Sequence, residues 1–180
     1  MRIIGLAGWS GSGKTTLLTR VIPRIVARGL TVSTIKHAHH SFDIDQPGKD
    51  SHSHRLAGAT EVLVGSGRRW AIVHELRGET EPALSDLIRK ASPVDLLVVE
   101  GYKAERHPKL EVYRSSNGKP LLHPEDSAIV AIASDVALPH ARVPMVDIND
   151  TDGVIEILLR HAAPVDSVVN PAGQLARKSH

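Results

Sequence analysis

At 180 residues the chain is long enough for one domain with a substantial core and needs no metal or disulfide staple. It has no cysteine, which excludes thiolate metal sites and cysteine nucleophiles and agrees with a reducing compartment. The net charge of +2 hides an asymmetry, 18 Lys+Arg against 12 Asp+Glu in residues 1–120 and 4 against 8 in residues 121–180. With few aromatic residues and no basic block, this balance points to an anionic ligand rather than to nucleic acid, a plain solvated basic face being the alternative.

The first apolar run, residues 3–7, reads as a strand. It leads into Gly8-Trp9-Ser10-Gly11-Ser12-Gly13-Lys14-Thr15-Thr16, which matches the phosphate-loop pattern at every fixed position. Glycines let the backbone turn several N–H groups onto one phosphate chain at the positive end of the following helix. Lys14 is expected to reach the β- and γ-phosphates and Thr15 to ligate magnesium, so a nucleoside triphosphate is the default ligand. Trp9 either covers the phosphates or packs outward. No charged leader or cleavage site precedes this strand, and no apolar stretch approaches twenty residues. The chain is therefore expected to be soluble and cytoplasmic, with no membrane partner.

Leu17, Leu18, Val21, Ile22, Ile25 and Val26 recur at helical spacing, interrupted by Pro23 and stopped at Gly29. Residues 31–36 alternate as a strand, completing a parallel strand–helix–strand unit. A polar stretch from His37 to Asp50 follows, too long and charged for a tight connector, then a short helix near Ser51. Two strands, 60–64 and 70–74, flank a glycine-rich turn. Pro82 opens an amphipathic helix with Leu84, Leu87, Ile88 and Ala91. Residues 95–100 form a strand apolar enough to be covered on both faces. Residues 109–114 alternate around Leu110, Val112 and Tyr113, residues 129–133 are a buried strand, and 143–148 a last short one. Asp150 or Thr151 caps a final helix. The order predicts a doubly wound, mostly parallel α/β sheet with its ligand at the carboxyl ends of the strands. Its nucleotide-binding domain spans 1–162, and a loosely held tail spans 163–180.

In that fold Glu100 ends a central strand, where an acid would support the magnesium ion opposite Thr15. Lys36, Asp43, Asp45, Lys49 and Asp50 suit a loop that closes over a γ-phosphate. His37, His39, His40, His52 and His54 are either a transition-metal site, polar switch-loop residues or ordinary surface histidines; their spacing does not decide. Asp135 either accepts hydrogen bonds from a guanine N1 and exocyclic amine or caps a strand-end turn.

These residues together resemble the MobB family, the molybdopterin-guanine dinucleotide biosynthesis adapter proteins. The matching pieces are residues 8–16, the segment from Lys36 to His40 with Phe42-Asp43, and Pro47-Gly48-Lys49-Asp50-Ser51. Arg55 with Ala57-Gly58-Ala59, and Val99-Glu100-Gly101-Tyr102-Lys103, complete the set. The resemblance covers roughly residues 1–135. It implies a P-loop NTPase fold and a homodimeric GTP-binding protein with magnesium and weak GTPase activity, assisting a MobA-type guanylyltransferase that attaches GMP to molybdopterin. Because His37, His39 and His40 belong to the matched segment, a private metal site becomes less favoured. On this reading Gly11, Ser12, Gly13, Lys14, Thr15, Thr16, Lys36 and Lys49 bind nucleotide, and Asp135, which no matched motif fixes, is added from its strand-end position alone. Thr15 and Glu100 hold the metal, and Lys14, Asp43 and Asp50 serve hydrolysis. A small-molecule kinase with Asp43 or Asp50 as base, and a metal-delivery GTPase using the histidines, are the alternatives.

Overall fold

The computed structural model describes residues 1–38 and 42–170; His39 and His40 lie outside them. The chain forms two compact units, Met1–His37 with the segment from Leu84 onward, and Ala38–Ala83. The first unit contains the predicted sheet. β1 (Arg2–Ala7) is followed by α1 (Lys14–Ala27) and β2 (Val32–Lys36). After the second unit come α3 (Leu84–Lys90), β5 (Leu96–Glu100), β6 (Lys109–Tyr113), β7 (Ile129–Ser134), β8 (Met145–Asp147) and α4 (Thr151–His161). The strand order is β2-β5-β1-β6-β7-β8, parallel throughout. Because β5 lies between β2 and β1, the helix crossover skips a position, and β1 ends in the interior of the sheet. α1 and α4 cover one face through Leu17, Val21, Ile25, Val154, Ile155 and Leu158. On the other face Leu84 and Ile88 of α3 meet Ile3, Leu97 and Val99. β5 is buried on both sides, as its unbroken apolar run requires. The fold is thus a mostly parallel α/β sheet flanked by helices. Asp150 caps α4, its carboxylate accepting from the Gly153 N–H at 2.9 Å. α1 runs on through Pro23.

The tail expected from residue 163 is held as far as it is described. β9 (Ala163–Pro164) pairs antiparallel with the start of β1, and the Arg2 guanidinium donates to Ala162 O. α5 (Asp166–Val169) follows, and Val165, Val168 and Val169 pack on the Ile3–Leu97 cluster. Three valines among alanine, proline and serine lack a long period, yet they cover one apolar patch. In β6 the charged residues that alternate with Leu110 and Val112, Lys109 and Glu111, are buried as well. Each has private partners: Lys109 Nζ pairs with Asp126 at 2.9 Å and donates to Lys103 O, while Glu111 accepts from the Leu122 and His123 N–H groups.

The second unit comprises α2 (Asp50–Leu56) and the antiparallel hairpin β3 (Glu61–Gly65) and β4 (Trp70–His74). The hairpin is a separate two-stranded sheet, not an extension of the parallel one. Among the described residues, no helix is long and apolar enough to cross a membrane.

Candidate functional site

The loop between β1 and α1 has the backbone of a phosphate cradle. Gly8, Gly11 and Gly13 all have positive φ, at 144°, 79° and 91°, values that side chains resist. A Cβ on Gly8 would stand 2.6 Å from Val112 O and 2.7 Å from Ser12 Oγ, so this position is closed to any larger residue. α1 begins without a side-chain cap and with no acid in its first turn. Its first N–H groups, which no helix can satisfy internally, are therefore left for an anion. Ser12 Oγ is buried and has no hydrogen-bond partner among the described residues. Lys14 Nζ spans the loop, donating to Gly8 O at 2.9 Å and Trp9 O at 3.0 Å. Burial lowers its pKa; Glu100 opposes this, and the charges of Lys103 and Lys36 add to it. A site with this excess of cations is suited to a polyanion. Thr15 and Thr16 are exposed beside it.

Glu100 ends β5 level with Leu6 of β1 and Lys36 of β2. The sheet thereby sets Lys36 beside Glu100 at the carboxyl ends of β2 and β5, at the end of the sheet where β1 leads into the loop. Gly101 follows with φ 99°, and a Cβ there would lie 2.8 Å from His37 Cβ. This glycine lets the ends of β2 and β5 close up. His37 N donates to Glu100 O at 2.8 Å, and its ring lies 5.0 Å from that of Tyr102.

On the other side of β1, the segment after β6 brackets the loop. Trp9 Nε1 donates to Pro120 O at 2.8 Å, and the ammonium groups of Lys103 and Lys119 lie 5.4 and 5.9 Å from its ring. Asn117 Nδ2 donates to Ser10 O at 3.0 Å. Trp9 is thus tied to the 120 segment. Glu111 fixes that segment in turn through residues 122 and 123, and burial raises its pKa against those two hydrogen bonds. Arg114, which directly follows β6, lies against Gly13. Sequence reasoning missed it, although its signal was available: a cation at the carboxyl end of a strand, as Glu100 is an acid at the end of another.

Asp135 is half-buried after β7 and accepts from Ser115 N at 2.8 Å and Ser115 Oγ at 3.3 Å. It also lines a groove of about 270 Å³ formed by residues 134–137 and 145–147, at the carboxyl ends of β7 and β8.

Asp43, Lys49 and Asp50 belong to the second unit. Asp43 accepts two hydrogen bonds from Arg55 Nη2, at 3.0 and 2.9 Å, and one from Asp45 N. The Asp45 backbone amide and then Arg55 hold its carboxyl below the usual range. Arg55 also binds Asp45 and Glu75, so the residues 43 and 45 expected over a γ-phosphate are joined in a local ionic cluster. Lys49 precedes α2 with extended backbone, and Asp50 opens it; both are exposed. Among the described residues, no three His, Asp or Glu side chains assemble into a metal-holding group.

Comparison with known proteins finds relatives over most of the chain. The family model described as "Molybdopterin guanine dinucleotide synthesis protein B" matches residues 3–135. The molybdopterin-guanine dinucleotide biosynthesis adapter protein of Escherichia coli (strain K12) is 41% identical over 163 residues, 87% of this chain and 91% of the relative. That of Haemophilus influenzae is 40% identical over 151 residues, 82% of each. The crystal structure of a MobB protein homolog from Bacillus stearothermophilus superposes with a TM-score of 0.65 at 25% identity, covering 89% of this chain and 97% of that one. With the phosphate loop, the acid at the end of β5 and the parallel sheet all in place, the chain belongs to the MobB family.

Proposed function

We propose that this protein is a GTP-binding adapter of molybdopterin guanine dinucleotide biosynthesis. It binds GTP with magnesium at residues 11–16 and assists a MobA-type guanylyltransferase in the step that attaches GMP to molybdopterin. The observation that carries the reading is the uncapped, glycine-formed start of α1, with Lys14 spanning it and Ser12 Oγ buried without a partner. Such a nest supplies several N–H donors to one phosphate chain, and Lys14 adds the charge-assisted bond. Magnesium, when bound, would draw charge from the terminal phosphates. Thr15 and Glu100 would hold it, with Lys36 beside them.

Hydrolysis is slow on this reading. Of the two carboxylates assigned to it, Asp43 is engaged by Arg55, which leaves Asp50 as the better candidate for ordering a water. Lys49 is its neighbouring cation. The reading also takes the protein to work in the cytoplasm and as a homodimer.

Calorimetric titration with GTP and ATP, each with magnesium and with magnesium chelated, tests the reading. GTP is expected to bind more tightly than ATP, and more tightly with magnesium than without it. Equal or better binding of ATP would overturn the guanine assignment and favour a kinase. Lys14→Ala is expected to weaken GTP binding on the order of 100-fold with unchanged circular dichroism, because a charge-assisted hydrogen bond to phosphate is lost. Adding the purified protein to the guanylyltransferase is expected to raise the yield of dinucleotide product, and no change would refute the adapter role.

A further inference from the structure

Among the described residues, Arg114 is a charged side chain without a hydrogen-bond or ion-pair partner, at the edge of a site suited to anions. It is half-buried, and no described carboxylate pairs with it. Yet a Cβ on Gly13 would lie 3.1 Å from Arg114 Nε and 3.7 Å from Nη2. Gly13 is the residue with which the loop turns into α1. A guanidinium left half out of water without a counter-ion is unfavourable, and a phosphate oxygen is the anion its planar fork fits best.

The backbone holds Arg114 in place from both sides. It leaves β6 extended, at φ −129° and ψ 127°, and caps the 3-10 turn Ser115–Asn117. Asp135 fixes that turn at Ser115, and Asn117 fixes it to Ser10 of the phosphate loop. The guanidinium is therefore positioned before any ligand arrives.

Its side of the loop identifies the phosphate. Lys36 and Glu100 approach from the β2–β5 side of β1, where Thr15 and the metal end of the nucleotide belong. Arg114 follows β6 on the opposite side of β1, and β6 lies between β1 and β7, whose end lines the groove of residues 134–137 and 145–147. Resting on the nucleotide-binding reading above, we infer that Arg114 binds the α-phosphate, the one next to the nucleoside, while the groove beyond Asp135 receives the base. Arg114 is then a residue of affinity for di- and triphosphate alike and not a cation for the γ-phosphate.

The test is calorimetry of the wild type, Arg114→Ala and Arg114→Gln with magnesium GTP and with magnesium GDP. A phosphorus NMR spectrum of bound GDP accompanies it. Loss of affinity on the order of tenfold for both nucleotides is expected in both variants, with the GTP-to-GDP ratio unchanged. The α-phosphorus resonance is expected to shift more than the β. Arg114→Gln keeps the stem as far as Cδ and a polar end while removing the charge, so it reports even if Arg114→Ala folds poorly. Unchanged affinity, or a loss confined to GTP, would overturn the inference while leaving nucleotide binding intact. A wild-type protein that binds neither nucleotide would overturn both readings.

Discussion

In the first unit Ile3, Ile4 and Leu97 have no exposed surface at all, whereas in the second Leu63, Trp70 and Phe42 are 67, 69 and 74% exposed. Val62 is the one apolar side chain of that unit buried among the described residues. A two-stranded hairpin cannot make a core of its own. What organises the second unit is Arg55, with only 12% of its side chain exposed, bonded to Asp43, Asp45 and Glu75. One region is specified by apolar burial, which is non-directional and is not screened by ions. The other is specified by a few directional charged bonds, which ions screen when exposed. The phosphate cradle sits in the unit with the buried core, whose packing supports a preorganised anion site.

The largest effect should come from breaking that buried core. Leu97→Ala removes a side chain buried against both Ile3 and Leu84 of the same cluster and is expected to destabilise the fold by about 2–5 kcal/mol. Chemical denaturation measures this, and a loss under 1 kcal/mol would contradict the buried position of β5.

The next effect is a pH dependence inside the same region. His107 is buried beside Gly5, and its Nδ1 has no hydrogen-bond partner among the described residues. Burial, then the charge of Lys109, against the opposing charge of Asp126, push its pKa down from 6.5 to about 4. Between those values the unfolded chain binds more protons than the folded one, so stability rises with pH. The contribution is complete above about pH 6.5 and is lost as pH falls through 4, to a limit of roughly 3 kcal/mol. Melting temperatures at pH 7.5 and 4.5 are expected to converge in His107→Gln relative to wild type. An equal pH dependence in both would refute the assignment to this group.

A smaller, local effect separates the second unit. Arg55→Ala leaves three carboxylates together without their cation and should speed amide exchange in β3 and β4 on the order of tenfold. If raising salt produced no comparable trend in the wild type, screening would not be part of what holds this unit.

The contrast between regions also explains what could be read from the sequence. The phosphate loop, the apolar run of β5 closing on Glu100, and the Asp150 cap are local patterns, and each is found where its pattern predicts. The burial of Lys109 and Glu111 is not legible locally, because their partners, Asp126 and the amides of Leu122 and His123, lie 11 to 17 residues onward. Arg2 is satisfied by Ala162 across 160 positions, and this long-range pairing holds the chain past residue 162 against β1. Alternation predicts which face a residue is on, but not whether a distant segment covers it.

The smallest expected effect concerns Asp135, where two readings meet at one carboxylate. Each of its oxygens accepts one hydrogen bond from Ser115, and a carboxylate oxygen has a second lone-pair direction. Both readings can therefore hold together: the turn that positions Arg114 uses one direction, and a guanine would use the other. Asp135→Asn separates them. Its amide retains an oxygen for Ser115 N but presents a donor where guanine N1 or its amine would also donate. GTP affinity is expected to fall about fivefold while ATP affinity stays level, since a mismatched donor pair removes discrimination rather than phosphate binding. An equal fall for both nucleotides would assign Asp135 to the turn alone, acting through Arg114, and would move guanine recognition to another part of the groove.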